Sequence, residues 1–230
     1  RVNPETEITI TSGATESTYS IIAALVSPGD EVIIFDPAYD SYHPAVLLNG
    51  GVPVHINLDG VNFSIDWDVV RSRITPRTKM IIINTPHNPS GAVLLEKDLK
   101  ELEKIANESD LLVLSDEVYE RLIFDGIRHE SVLRYHGLAD RCLAVFSFGK
   151  TFHATGWKVG YVVAPAHLTE EVRKAHQFIV FSVNTPIQLA LAEYLQNPEH
   201  YLTLGKFYQQ KRDFFLTQIK GSSFEPMACH

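Results

Sequence analysis

The sequence predicts an α/β fold, a mostly parallel sheet with one antiparallel strand and helices on both faces, and three observations carry that prediction. Short apolar runs alternate along the chain with longer stretches of helical periodicity. The runs are rich in Val, Ile and Leu with little polar alternation, as befits strands covered on both faces. From Ser147 to Lys158 the connection is about ten residues, shorter than the dozen or more a parallel crossover needs, so the strand that follows should run antiparallel.

Taken in order, "EITIT" is the first strand and "ESTYSIIAALV" the helix after it. "EVIIF" leads into helical "DSYHPAVLL", "PVHINL" into "DWDVVRSRI", and "MIIIN" into "LEKDLKELEKIANES". Two further strands, "LLVLS" and "CLAVFS", precede the antiparallel "KVGYVVA". Beyond Pro165 the pattern is helical through residue 220, and the Thr-Pro pair in "SVNTPIQLALAEYL" suits a helix N-terminus. No internal repeat or Gly/Ser linker interrupts this order.

Composition narrows the function. At 45% hydrophobic and 21% charged the chain has ordinary globular make-up, and 230 residues suffice for one large core or two small ones. A net charge of −8 without any Lys/Arg run argues against nucleic acid and against acidic membranes as partners. No apolar run approaches the roughly 20 residues of a membrane span, and no leader pattern opens the chain. Cys142 and Cys229 match neither a disulfide framework nor a metal spacing, which suggests a reducing compartment or indifference to redox, with structural thiols the plainer reading; no metal is expected, and with neither span nor leader in view the expected location is cytoplasmic. The chain opens on Arg1 rather than methionine and stops at His230 soon after a long helical pattern, as a piece of a larger protein would.

Ligands of an open parallel sheet collect beyond the carboxyl ends of its strands, so the residues following each strand matter most. Gly13-Ala14-Thr15 opens a helix with small residues, leaving backbone N–H groups for an anion at the positive end of the helix dipole; a cap by Thr15 or Ser12 is the plainer alternative. Ser147 and Lys158 flank a turn and can add a hydroxyl and a charge to the same anion. Asp116 closes "LLVLSD", where a buried carboxylate needs a cation or else caps the next turn. Tyr119, three residues on, would share its side of a helical turn. Asn88 in "PHNPSG" and His87 beside it read as loop chemistry when taken singly, and Tyr39 in "DPAYDSY" offers a ring face or core packing. Lys150 stands between Phe148, Gly149 and Phe152, apolar surroundings that disfavour a charged amine and make it a nucleophile. One ligand would use all these groups together: a flat heteroaromatic aldehyde with a phosphate, a ring nitrogen and a phenolic oxygen, which is pyridoxal phosphate.

The stretches "ITSGATES", "FDPAYDSY", "NTPHNPSGAVL", "SDEVYERLIFDG", "SFGKTFHATGWKVGYVVAP" and "FSVNTPIQLALA" span residues 8 to 192 and resemble the fold-type-I pyridoxal-phosphate aminotransferases of class I/II, in their methionine and kynurenine branch. The resemblance implies that Lys150 forms the internal aldimine and that Asp116 pairs with the ring nitrogen. It implies that Tyr119 and Asn88 bond the ring oxygen, and that Tyr39 stacks on the ring. Ala14 and Thr15 would hold the phosphate through backbone, Ser147 and Lys158 through side chains. Gly149 lies where relatives often carry serine or alanine. Residues 1–199 are expected to be the cofactor-binding large domain, and 200–230 a helix and tail leading toward a small C-terminal domain. That domain would supply the arginine that grips the substrate carboxylate, and an N-terminal segment would supply an aromatic residue to the partner's site; with both outside this chain, the fragment alone is expected to bind cofactor without turning over substrate. Homodimers with sites at the subunit boundary are implied too, and Asn184 is either near that boundary or a helix cap.

The activity implied is transfer of an amino group from methionine, an aromatic amino acid or a glutamine-like donor to a 2-keto acid. Other readings are a carbon-sulfur lyase of the same fold and a non-enzymatic cofactor-binding module such as half of a transcription regulator. A nicotinamide-binding protein is disfavoured, because no Gly-x-Gly-x-x-Gly follows the first strand.

Overall fold

The alternation of apolar runs folds into a seven-stranded sheet in the computed structural model, which describes residues 2–227 and 229. Along the chain come α1 (Pro4–Glu7), β1 (Ile8–Thr11), α2 (Ala14–Leu25), β2 (Glu31–Asp36), α3 (Tyr42–Leu48), β3 (Val52–Asn57), α4 (Trp67–Arg73), β4 (Thr78–Asn84), α5 (Glu96–Glu108) and β5 (Leu112–Asp116). There follow β6 (Cys142–Ser147), the single turn α6 (Phe148–Thr151), β7 (Gly160–Val163), α7 (Ala166–Ile179), α8 (Thr185–Tyr194), α9 (Glu199–Leu202) and α10 (Leu204–Ile219). The strands lie in the order β1-β7-β6-β5-β4-β2-β3. All the pairings from β6 to β3 are parallel, and β7 is antiparallel to both β6 and β1, as the short connection before it requires.

Successive strand residues point to opposite faces, and here both faces are apolar. Ile33, Ile81, Ile83, Val113 and Ala144 pack on one side against Val70 of α4 and Leu99, Leu102 and Ile105 of α5. Val32, Ile34, Met80, Ile82, Leu114 and Val145 face the other way, onto Ile21 and Ile22 of α2, Tyr42 and Val46 of α3, and Val172 of α7. Almost every one of these side chains is fully buried, which at about 25 cal/mol per Å2 of apolar surface makes this double core the main stabilising term.

Some local expectations need correction. The helical stretch after Pro165 is broken into four helices, at Val180–Asn184, at Leu195–Pro198 and at Thr203. The helix in "DSYHPAVLL" begins only at Tyr42, because Pro44 is tolerated in a first turn but not further in. Lys150, expected in a turn, sits on the one-turn helix α6. Of the two spans 1–199 and 200–230, Arg1, Ala228 and His230 lie outside the described residues. Helix α10 fastens the loops that carry site residues: Arg212 forks onto Asp125 and Tyr208 bonds His153.

Candidate active site

Parallel strands deliver their carboxyl ends to one edge of a sheet, and register decides which side chains meet there. Asn84 and Asp116 are partners across β4 and β5, and Asp116 is opposite Val145, so Ser147 lies one pleat further along β6. Because β7 runs the other way, its first residue Gly160 stands opposite both Ser147 and Thr11. The turn after β1 and the residues before β7 thereby arrive at the same edge. A cavity opens there, and Ala14, Thr15, Tyr39, Asn88 and Asp116 line it with Tyr119, Ser147, Lys150 and Lys158.

The anion-binding corner is built from backbone. Helix α2 starts at Ala14 behind Gly13, whose φ of 85° only glycine adopts without strain, and no side chain caps it. Neither Ser12 nor Thr15 serves as that cap, so the first-turn N–H groups stay available, as helix geometry leaves them. The Ser12 N–H instead donates to Glu16 Oε2 at 2.9 Å, while Glu16 Oε1 meets His176 Nδ1 at 3.0 Å and accepts from Ser20. Burial opposes ionisation of Glu16, yet the bonds from His176, Ser20 and Ser12 outweigh it and hold the carboxyl below its ordinary range. Lys158 brings its amine over the turn: a Cβ on Gly13 would stand 3.3 Å from its Nζ. A Cβ on Gly160 would lie 2.6 Å from the Phe146 carbonyl and 3.1 Å from the Ala14 nitrogen, so glycine there lets the turn pack on β7.

Asp116 is 5% exposed, at the end of β5. Tyr42 donates to its Oδ2 at 2.6 Å and the Val118 N–H to its Oδ1 at 3.2 Å; the second of these is the turn cap that the sequence left open. Burial above all lifts this carboxyl to about 6; the Tyr42 and Val118 bonds and the charge of Lys150 pull it down, and the charge of Glu117 pushes it up. Among the described residues the donors to its carboxylate oxygens are neutral, so it is an acceptor ready for a cationic N–H. Beneath it, fully buried Glu117 accepts from Ser115 Oγ at 2.9 Å, from the Val132 N–H at 3.1 Å and from His129 Nε2 at 2.7 Å, which pins the loop after β5. That loop is a run of turns, with Glu120 N donating to Glu117 O and Leu122 N to Tyr119 O, so Tyr119 reaches the cavity from a turn and not from a helix.

Lys150 Nζ lies 5.6 Å from the centre of the Tyr119 ring. Its apolar neighbours in sequence do not surround it. Phe148 and Phe152 stack on each other at 6.0 Å and pack with Val159 and Leu191, while the amine enters the polar cavity, because residues two apart on a helical turn point in different directions. Proximity to Asp116 and Tyr119 therefore replaces apolar surroundings as the feature that distinguishes this lysine.

Asn88 is set by a residue that sequence reasoning missed. Asn84 Oδ1 accepts the Asn88 N–H at 2.7 Å and Asn84 Nδ2 donates to the Asp116 carbonyl at 2.9 Å, stapling the loop after β4 to β5. His87 bonds Ser90 Oγ at 2.7 Å and the Pro37 carbonyl at 3.0 Å, a loop role; burial lowers its pKa. Tyr39 lies within 3.4 Å of the Thr15 hydroxyl and edge-on to Tyr42. Tyr42 and Thr155 were missed too, although Tyr42 follows Tyr39 by three residues in "DPAYDSY". Asn184 accepts from the Ile187 N–H and caps α8. Cys142 and Cys229 are free thiols, and burial pushes Cys142 to about 12. Among the described residues no group of three or more His, Cys, Asp or Glu can hold a metal ion, and no helix is long and apolar enough to cross a membrane.

These donors suit one ligand chemistry. The bare start of α2 with Lys158 and Ser147 could take an anion, Asp116 a protonated ring nitrogen, and Lys150 could attack a carbonyl carbon. Pyridoxal phosphate carries all three groups, and the residues present fit it.

Comparison with known proteins points the same way. Residues 1–228 match the family described as aminotransferase class I and II. The chain is 49% identical over 226 residues to methionine aminotransferase of Escherichia coli K12, covering 98% of this chain and 58% of that protein. It is 39% identical to kynurenine–oxoglutarate transaminase 3 of Rattus norvegicus, covering 99% of this chain and 54% of the relative. A crystal structure of an E. coli protein with methionine aminotransferase function superposes with a TM-score of 0.97 at 48% identity, over all of this chain and 61% of the other. The chain thus spans little more than half the length of the relatives it matches.

Proposed function

The chain belongs to the class I and II aminotransferase family, whose members imply a pyridoxal phosphate cofactor, and from that premise we propose that it is the cofactor-binding part of an enzyme moving an amino group from an amino acid to a 2-keto acid. One observation carries the reading: the amine of Lys150, the buried carboxylate of Asp116 and the uncapped start of α2 open into the same cavity. Residues 1–199 form the large domain in this reading, and 200–230 lead toward a smaller one.

When bound, pyridoxal phosphate supplies an aldehyde for amines to condense with and an electron sink for a carbanion. The Ala14 and Thr15 N–H groups would hold its phosphate with the Ser147 hydroxyl and the Lys158 amine. Asp116 would hold the ring nitrogen, Tyr119 and Asn88 the ring oxygen, and Tyr39 one ring face. Lys150 would be the nucleophile toward that aldehyde and, with its amine free, the base that takes the substrate's α-proton at Nζ and later returns it. Asp116, kept from water, would favour positive charge at the ring nitrogen, which is where its burial would matter to the rate.

Methionine, aromatic and glutamine-like donors are proposed from the relatives' names, methionine first. A homodimer is proposed as well; Phe178 and Phe181, 87% and 79% exposed at the end of α7, make an apolar patch of the kind an interface covers. A cytoplasmic location and a role in amino acid biosynthesis complete the reading, the free thiols being at home in a reducing compartment. The test is to mix the complete protein with methionine and a 2-keto acid. Formation of the new amino acid is expected; bound cofactor without transfer would reject the activity, and pyruvate with ammonia from cystathionine would mark a lyase instead.

A further inference from the structure

We propose that Tyr42 is a positioning residue of this site, whose buried phenol holds Asp116 ionised and in one orientation for a cationic heteroaromatic N–H. The proposal rests on the cofactor reading above and adds to it a residue that does not line the cavity.

Tyr42 opens α3, is 3% exposed, and reaches Asp116 across 74 positions of sequence. Its ring belongs to the core beneath α2 and α3, where phenylalanine would fill the same space. The hydroxyl is what packing leaves unexplained, and among the described residues its one bond is to Asp116 Oδ2 at 2.6 Å. A hydroxyl buried there without an acceptor would be a liability, so the pair is mutually required. The Val118 N–H fixes Oδ1 from the other side, which determines the plane of the carboxyl group. A carboxylate has room for further donors on each oxygen, and the cavity is where they can enter.

The surrounding charges make this phenol decisive. Glu117, next along the chain, opposes ionisation of Asp116, and Lys150 from α6 favours it. Tyr39 and Tyr119 are the other titratable groups acting on Tyr42, and neither is a cation. Burial first, then the charge of Asp116, raises the pKa of Tyr42 well above its ordinary 10, so it stays the donor through neutral pH. Without it, Asp116 would keep a single neutral donor against its burial. A more basic Asp116 would in turn draw the proton from a bound ring nitrogen, weakening the positive charge that the reaction uses.

The experiment compares the full chain with its Tyr42→Phe variant, each carrying 13C-labelled aspartate carboxyls and free of cofactor. The Asp116 midpoint should rise by about one to two pH units, the worth of a hydrogen bond to a buried charge. A midpoint within a few tenths of wild type in a folded variant would overturn the proposal. Should that variant not fold, 3-fluorotyrosine at position 42 keeps the hydroxyl and strengthens the donor; the midpoint should then fall, and an unmoved midpoint overturns the proposal equally. With pyridoxal phosphate labelled by 15N in the ring, Tyr42→Phe should shift the nitrogen toward its unprotonated value, and an unchanged shift counts against the proposal. Failure of the wild-type chain to take up pyridoxal phosphate would defeat the cofactor reading, while the carboxyl titration still decides the role of Tyr42.

Discussion

Replacing Asp116 by asparagine should make the cofactor-free chain more stable at neutral pH while impairing the site. Burial raises this carboxyl from 3.8 to about 6, so ionising it in the folded chain costs about 3 kcal/mol relative to the unfolded one. The sign follows from proton binding: between those two values the folded state holds more protons than the unfolded state, and stability falls as pH rises through that window. Asparagine carries no charge, and its amide can still serve both neighbours, with its oxygen accepting from Val118 N–H and its NH2 donating to the Tyr42 oxygen. The variant should therefore match the wild type near pH 4 and exceed it by about 1 to 3 kcal/mol above pH 6, some of the gain being lost to imperfect geometry. At about 2 to 4 °C per kcal/mol for a chain of this size, the melting temperature should rise by at least about 2 °C. Urea unfolding of both chains across pH 4 to 8 measures the difference directly. A gap that does not change with pH would refute the reasoning, since it would mean that Asp116 carries no buried charge.

Gly160→Ala should cost about 1 to 3 kcal/mol of stability and weaken phosphate binding, because its Cβ would meet the Phe146 carbonyl and the Ala14 nitrogen; Gly156→Ala, with open space around it, is the control expected within about 0.5 kcal/mol of wild type. Thermal melts and titration with inorganic phosphate distinguish the two. Glu117→Ala leaves His129, Ser115 and the Val132 N–H without their acceptor and should cost about 3 to 5 kcal/mol, read as a lower urea midpoint. Glu16 has a folded pKa below its ordinary 4.5, so it contributes stability that is present above that value and lost as pH falls through the folded one. Glu16→Gln should flatten the acid limb of the stability curve, and a limb as steep as that of the wild type would exclude this role.

The sheet was legible because burial on both faces forces unbroken apolar runs, and the antiparallel β7 because ten residues cannot cross over. Asp116 and Ser147 were legible because each closes an apolar strand, β5 and β6, with a polar side chain. What escaped was set by tertiary contact. Tyr42 bonds a residue 74 positions away, and nothing local distinguishes its hydroxyl from that of Tyr39. Asn84 looked like the end of a strand, and only pairing with β5 makes it a staple for Asn88. The surroundings of Lys150 were misjudged because neighbours in sequence on a one-turn helix point away from each other.

The central claim is that one amine, Lys150, bonds the cofactor at the rim where the strands end. Incubating the chain with pyridoxal phosphate, reducing the imine with borohydride and mapping the modified peptide tests it directly. A single tag on Lys150 in "FGKTF" is the predicted result; a tag on Lys158 or on any other lysine, with Lys150 unmodified, would contradict it.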